Sequence, residues 1–310
     1  MTDAPPTETP PAAGAMADFR LGVYLLRRNK LVLAGTVLAV ASLAIALLSN
    51  IIVNPNAWKT TDLGLRLCWN NPAINWQIEN VFNCQGAVHA FGTDAYGRDL
   101  LQMIILALPL DLQVSLEVVA SAIVIGVVFG SVAAYAGGVV DEAILRITDV
   151  FFAVPGILLA IVIMAILGRT IANLTFAVLI TWWPLYVRLI RSQVLSEKEK
   201  PYVEALRAMG ASRPRILFRH IVPNSIFPVI VQATLDIGSV ILTFATLVFL
   251  GFTPSATIPE LGNLANQGIQ YIFTAPWLIL FPGLTILLVS LGFNLLGDGL
   301  RDIFDPRLRR

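Results

Sequence analysis

The sequence predicts an all-α, polytopic membrane bundle with six transmembrane helices and both termini cytoplasmic. Three observations predict it. Of the 310 residues, 56% are hydrophobic and 13% charged, about half the charged share of an ordinary soluble domain. The charges leave long gaps: Leu31–Val53, Val118–Val140, Val150–Gly168 and Thr170–Val187 contain no Asp, Glu, Lys or Arg. An apolar helix of about 20 residues crosses the bilayer core. Only helices or closed barrels satisfy backbone amides in lipid, and these runs are continuous rather than alternating, so helices are expected. Finally, the basic residues are lopsided. With the N-terminus inside, 17 Lys and Arg fall on inner segments and 4 on outer ones, the bias that sets cytoplasmic loops.

Taken in order, residues 1–18 are rich in Thr, Pro and Ala and predict a disordered tail. Residues 19–53 comprise a basic lead and the first span, about 31–53. Its 30-residue lead and long apolar run distinguish it from a cleaved signal peptide. Residues 54–111 form the extracellular or periplasmic segment, with Trp58, Trp69 and Trp76 suited to the membrane interface. Cys68 and Cys84 face an oxidising compartment there, either as a disulfide or as two free thiols. At the end of this segment, apolar residues at 100, 101, 104, 105 and 108 predict an interfacial helix over Arg98–Leu108. The core, 112–300, holds spans at about 114–136, 150–168, 172–190, 226–250 and 277–297. A short cytoplasmic tail, 301–310, follows.

Between the fourth and fifth spans, the cytoplasmic loop 191–224 carries most of the inner charge. Pro201 suits the first turn of a helix and Gly210 its C-terminal cap. Tyr202, Ala205, Leu206 and Met209 recur at i, i+3, i+4 and i+7 and fall on one side of that helix. Such a stripe packs against the bundle or docks into a groove of another protein. Spacing leaves both open.

The residues of this loop carry a resemblance. Glu204-Ala205-Leu206, Gly210 and Ile221-Val222-Pro223 resemble the EAA loop of ABC importer permeases. Leu206 departs from the second Ala, Val222 from a Leu, and His220 stands at an Ile position. Phe91-Gly92-Thr93-Asp94-Ala95-Tyr96-Gly97-Arg98-Asp99 looks like an element of the dipeptide/oligopeptide/nickel permease family, with Phe91 for its Leu. Ala136-Gly137-Gly138 with Asp141, Phe218 to Asn224, Phe293 to Asp302 and Asp305 to Leu308 also resemble that family. With one leading span they fit its C-type subunit.

The resemblance implies the type I ABC importer permease fold in the cell membrane of a bacterium or archaeon. It also implies a heterodimeric pore with a homologous B-type permease, two cytoplasmic ATPase subunits that bind ATP and Mg, and an external substrate-binding protein. Tyr202, Glu204, Ala205, Leu206, Met209 and Gly210 would then couple the ATPases to transport. The chain has no Gly-x-x-x-x-Gly-Lys-Ser/Thr loop, so any ATP must be bound by another chain. No cofactor, metal or catalytic residue is expected on it.

Asp236 stands within the fifth span, where a charge is costly and must face the interior, the translocation pathway or a partner subunit. A self-sufficient secondary transporter would need coupling-ion sites and repeats that are not visible. An intramembrane aspartyl protease would need paired carboxylates, whereas Asp298 lies at the inner edge of the last span. Basic residues are not pooled into a nucleic-acid patch. His89 and His220 fall on opposite sides of the membrane and share no site.

Overall fold

Apolar runs interrupted by glycine and proline dictate long helices with a few breaks, and the computed structural model shows that arrangement over residues 29–56, 89–252 and 258–304. α1 (Lys30–Ile52) opens on Asn29, whose side chain accepts the Leu31 amide at 3.1 Å. Only a stripe of Val32, Gly35, Ala39, Ser42 and Ser49 is buried. The other faces project apolar side chains outward, Leu47 at 83% and Ile51 at 82% exposure. A surface of that kind suits lipid.

α2 (Leu100–Ala136) is capped by Asp99, which accepts the Gln102 amide at 3.0 Å. It runs 37 residues without interruption through Pro109. The expected interfacial helix and the second span are therefore one element, and residues 100–111 are not loop. Leu100, Ile104 and Leu108 are buried against α10 and α11 instead of lying on a membrane surface. Their apolar face was legible, but its partner was protein.

The expected third span, 150–168, also differs. It is divided between α3 (Gly138–Phe152) and α4 (Gly156–Leu167), which meet at 85°. Pro155 supplies the reason: it lacks an amide donor and disfavours the helical conformation at Val154. α4 has 12 residues and extends about 18 Å, too short to cross alone.

α5 (Ile171–Lys198) starts on Thr170, which accepts the Asn173 amide at 3.1 Å. It packs closely along α2 through glycine notches. A Cβ at Gly126 would sit 2.4 Å from Tyr186 Cβ, and one at Gly130 would sit 2.5 Å from the Val187 carbonyl oxygen. Membrane helices approach this closely through residues four apart that lack side chains.

After α5 come α6 (Pro201–Ala208), α7 (Arg213–Ile216), a π-helical turn (Leu217–Ile221) and α8 (Val222–Ser225). α9 (Phe227–Leu247) leads into a second π turn, Val248–Phe252. α10 (Leu261–Gly268) and α11 (Trp277–Phe304) complete the described chain. By length and composition α1, α2, α5, α9 with its π turn, and α11 can each cross a bilayer, and the bent α3–α4 pair makes up to six spans. An isolated antiparallel β-bridge joins Thr93 and Asp99. Two apolar cores result. One joins α2, α5 and α9 to the α6–α8 end, here termed the basic end. The other joins α1, the start of α2, α10 and α11 at the far end.

Candidate functional site

α6 is built as its residues dictate. Pro201 occupies its first turn, and Gly210 ends it at φ +78°. The Ala211 amide donates to the Leu206 carbonyl at 3.1 Å and the Gly210 amide to Arg207 at 3.0 Å. This is a Schellman cap, which needs a left-handed residue where Gly210 stands. Nothing lies within 4 Å of a Cβ built at Gly210, so conformation rather than space selects glycine.

The face predicted from periodicity divides. Tyr202 and Leu206 pack on the core beside the fully buried Val203, whereas Ala205 is exposed and Met209 is 74% exposed. The outward face is Glu204, Ala205, Ala208 and Met209, with Arg207 at its edge. Val203, the deepest anchor, lies outside the i, i+3, i+4 set. Including it rotates the buried stripe towards Val203 and turns Ala205 and Met209 out.

Polar bonds fix the pose. Tyr202 donates its hydroxyl to Glu197 Oε1 at 2.9 Å, and Lys200 Nζ lies 2.6 Å from Glu197 Oε2. Asn224 Nδ2 donates to the Tyr202 hydroxyl oxygen at 3.4 Å. Burial, with Glu197 beside it, holds the Tyr202 pKa above its ordinary value, so it remains a donor. Lys198 reaches the Ala134 carbonyl at 3.0 Å, tying the end of α5 to the end of α2. Arg191 grips Asp141 with Nε and a terminal nitrogen at 2.5 and 2.6 Å, and Arg188 meets Asp149 at 2.5 Å. Both arginines, legible in the sequence only as topological charge, therefore strap α3 to α5. A bidentate pair of this kind is directional as well as attractive.

Asp236 is 5% exposed. Gln232 Nε2 donates to its Oδ1 at 3.0 Å, and its Oδ2 has no hydrogen bond, although Tyr186 and Trp182 lie beside it. It borders an open cavity of ≈ 400 Å³ between α3–α4, α5 and α9. Asp298, at the basic end of α11, belongs to neither this cavity nor its lining. Cys68 and Cys84 lie outside the described residues.

At the far end the Gly92–Asp99 element forms a knot. Arg98 pairs with Asp94 and reaches Gln267 at 3.2 Å, His89 Nδ1 lies 2.8 Å from the acceptor Asp99 Oδ2, and Trp277 Nε1 donates to the Thr93 carbonyl at 3.2 Å. It holds α2, α10 and α11 together.

The sequence reading missed Asp111 and Glu260. They are 1% and 2% exposed and come together across 149 residues of chain. Asp111 Oδ2 accepts the Leu261 amide at 3.2 Å and Glu260 Oε2 the Asn263 amide at 2.6 Å. Their other oxygens have no hydrogen bond from any other described residue. The available signal was an acid inside the apolar run Leu108–Leu112. Burial pushes Glu260 up to about 7 from an ordinary 4.5. The folded protein thus keeps a proton that the unfolded chain releases above pH 4.5, so stability falls as pH rises towards 7 and is level beyond. Glu260→Gln, neutral throughout, is expected to lessen the fall of the thermal unfolding midpoint over this range, and equal slopes in both proteins would refute the assignment.

Comparison with known proteins agrees with this geometry. The family described as binding-protein-dependent transport system inner membrane component matches residues 126–310. The dipeptide transport system permease protein of Alkalihalophilus pseudofirmus is 39% identical over 95% of this chain and 92% of its own length. The glutathione transport system permease protein of Pectobacterium atrosepticum is 39% identical over 78% and 82%. The oligopeptide transport system permease protein of Bacillus subtilis is 36% identical over 72% and 73%. At this breadth of agreement the chain belongs to the family of binding-protein-dependent transport system inner membrane components.

Proposed function

We propose that this permease forms one half of the pore of an ATP-driven peptide importer, with its basic end in the cytoplasm of a bacterium or archaeon. The second half is a homologous permease. Two separate ATPase subunits bind ATP and Mg and dock on the outward face of α6, while an external binding protein delivers substrate at the far end. The observation that carries the reading is α6 itself. Its inner face is pinned by Val203 and by the Glu197–Tyr202–Asn224 network, and its outer face presents Glu204 beside two alanines and an exposed methionine. A solvated loop gains nothing from so firmly held an apolar outer face. A groove on another protein does.

The relatives named for dipeptide, glutathione and oligopeptide transport support peptides as the substrate class. ATPase closure would push on α6, and the Tyr202, Lys198 and Arg191 contacts would pass the push to α5, α2 and α3. The direct test is reconstitution in proteoliposomes. The purified chain alone is expected to import no peptide. The complete assembly, supplied with ATP and loaded binding protein, is expected to import it. Uptake by the chain alone sinks the reading.

A further inference from the structure

The cavity beside Asp236 presents mainly acceptors, with the indole N–H of Trp182 as a donor in its lining. Thr181, Ser239 and Thr243 line it, and each donates its hydroxyl proton to its own helix, at 2.7, 3.4 and 2.9 Å. Their oxygens are left with lone pairs. Gln232 has turned a donor onto Asp236 Oδ1, while Oδ2 remains without a hydrogen bond. No Lys, Arg or His lines the space. Arg188, the nearest cation in sequence to this wall, has its guanidinium 4.1 Å from the Phe152 ring centre and is engaged by Asp149. Two aromatic side chains, Phe152 and Trp182, share the rest of the lining with Gly156, Ile157 and Leu185.

A buried carboxylate, lone pairs and aromatic faces together suit one chemistry. An anion would meet repulsion, and a neutral apolar group would leave the carboxylate unmatched. A primary ammonium supplies three donors, neutralises the charge and is attracted to the rings. We infer that this cavity is a transit subsite for the ammonium group of the substrate, with Asp236 as its counter-ion and Trp182 and Phe152 as its walls. The inference rests on the peptide-import reading and deepens it: the transported peptide enters the pore with its free α-amino end held at α9. The cavity volume suits one such end group with its first side chain.

The experiment uses the complete transporter in proteoliposomes, with radiolabelled dialanine delivered by its binding protein. Asp236→Asn is expected to cut uptake at least tenfold while ATP hydrolysis stimulated by loaded binding protein persists. Asp236→Glu should stay within about threefold of the unaltered protein. Uptake within twofold in Asp236→Asn overturns the subsite, and so does loss of stimulated hydrolysis together with uptake, since the carboxylate would then only shape the fold.

A second measurement needs neither ATP nor the binding protein. Leu185→Cys reports access to the cavity, its modification by a thiol reagent being read by peptide mass spectrometry. Millimolar dialanine is expected to protect it, N-acetyl-dialanine is not, and Asp236→Asn should abolish the difference. Equal protection by both peptides, or none by either, overturns the ammonium assignment. If the complete transporter takes up no dialanine while this selective protection holds, the import reading fails and the amine site stands.

Discussion

Ala208→Asp, and separately Met209→Asp, are expected to lower ATP-driven uptake about 30-fold or more without loss of folded protein. Both side chains are exposed on the outer face of α6, so in the isolated subunit a carboxylate there is simply solvated. In the assembled transporter it must enter an interface. A charge left unpaired in a buried contact costs about 2–5 kcal/mol, and each 1.4 kcal/mol is a factor of ten in occupancy. Val203→Asp and Leu206→Asp should behave differently, because these side chains pack on the core. They should lower the yield of monodisperse protein before coupling can be measured. Glu204→Gln keeps shape and removes one exposed charge, so its effect should be smaller than either aspartate. The measurements are peptide uptake and the amount of ATPase that co-purifies. Normal uptake in both outer-face variants would remove the docking role, whatever the inner-face variants do.

That division within α6 shows how far the sequence carries. The helix, its proline start and its glycine cap were legible because each depends on local backbone chemistry. Which side of the stripe meets the core was not, since it depends on Val194, Ile216 and Ile221 arriving from other elements. Prolines show the same limit. Pro109, Pro184 and Pro282 lie inside continuous helices, whereas Pro155 separates two. The residue type is identical, and only the packing on either side decides whether the helix bends or breaks. Asp236 could be singled out because a charge in an apolar run is conspicuous. Its cavity could not, being assembled from three stretches of chain. The Asp111–Glu260 pair was still less visible, because Asp111 lies beyond a stretch that reads as interfacial and Glu260 lies just before an uncharged run.

A close helix contact provides the second large effect. Gly126→Leu is expected to abolish recovery of folded permease. Even the first atom of that side chain would lie 2.4 Å from Tyr186 Cβ and 2.7 Å from the Tyr186 carbonyl carbon. Backbone cannot move aside as a flexible side-chain tip can, so α2 and α5 would have to separate. Their separation would undo much of the larger core and displace Tyr186 from beside Asp236. Overpacking by a few methylenes in a relaxed core costs about 1–3 kcal/mol, and a clash with main chain on both sides exceeds what local repacking can absorb. Gly126→Ala, one atom in the same notch, should leave a folded protein of lower thermal stability. Gly283→Leu supplies the control: it adds the same side chain to α11 where nothing lies within 4 Å of the Cβ, and it should leave stability nearly unchanged. Size-exclusion profiles and unfolding midpoints in detergent read all three variants. Equal recovery and midpoints for Gly126→Leu and Gly283→Leu would mean that α2 and α5 do not meet at this notch, and the placement of Asp236 beside Tyr186 would fall with it.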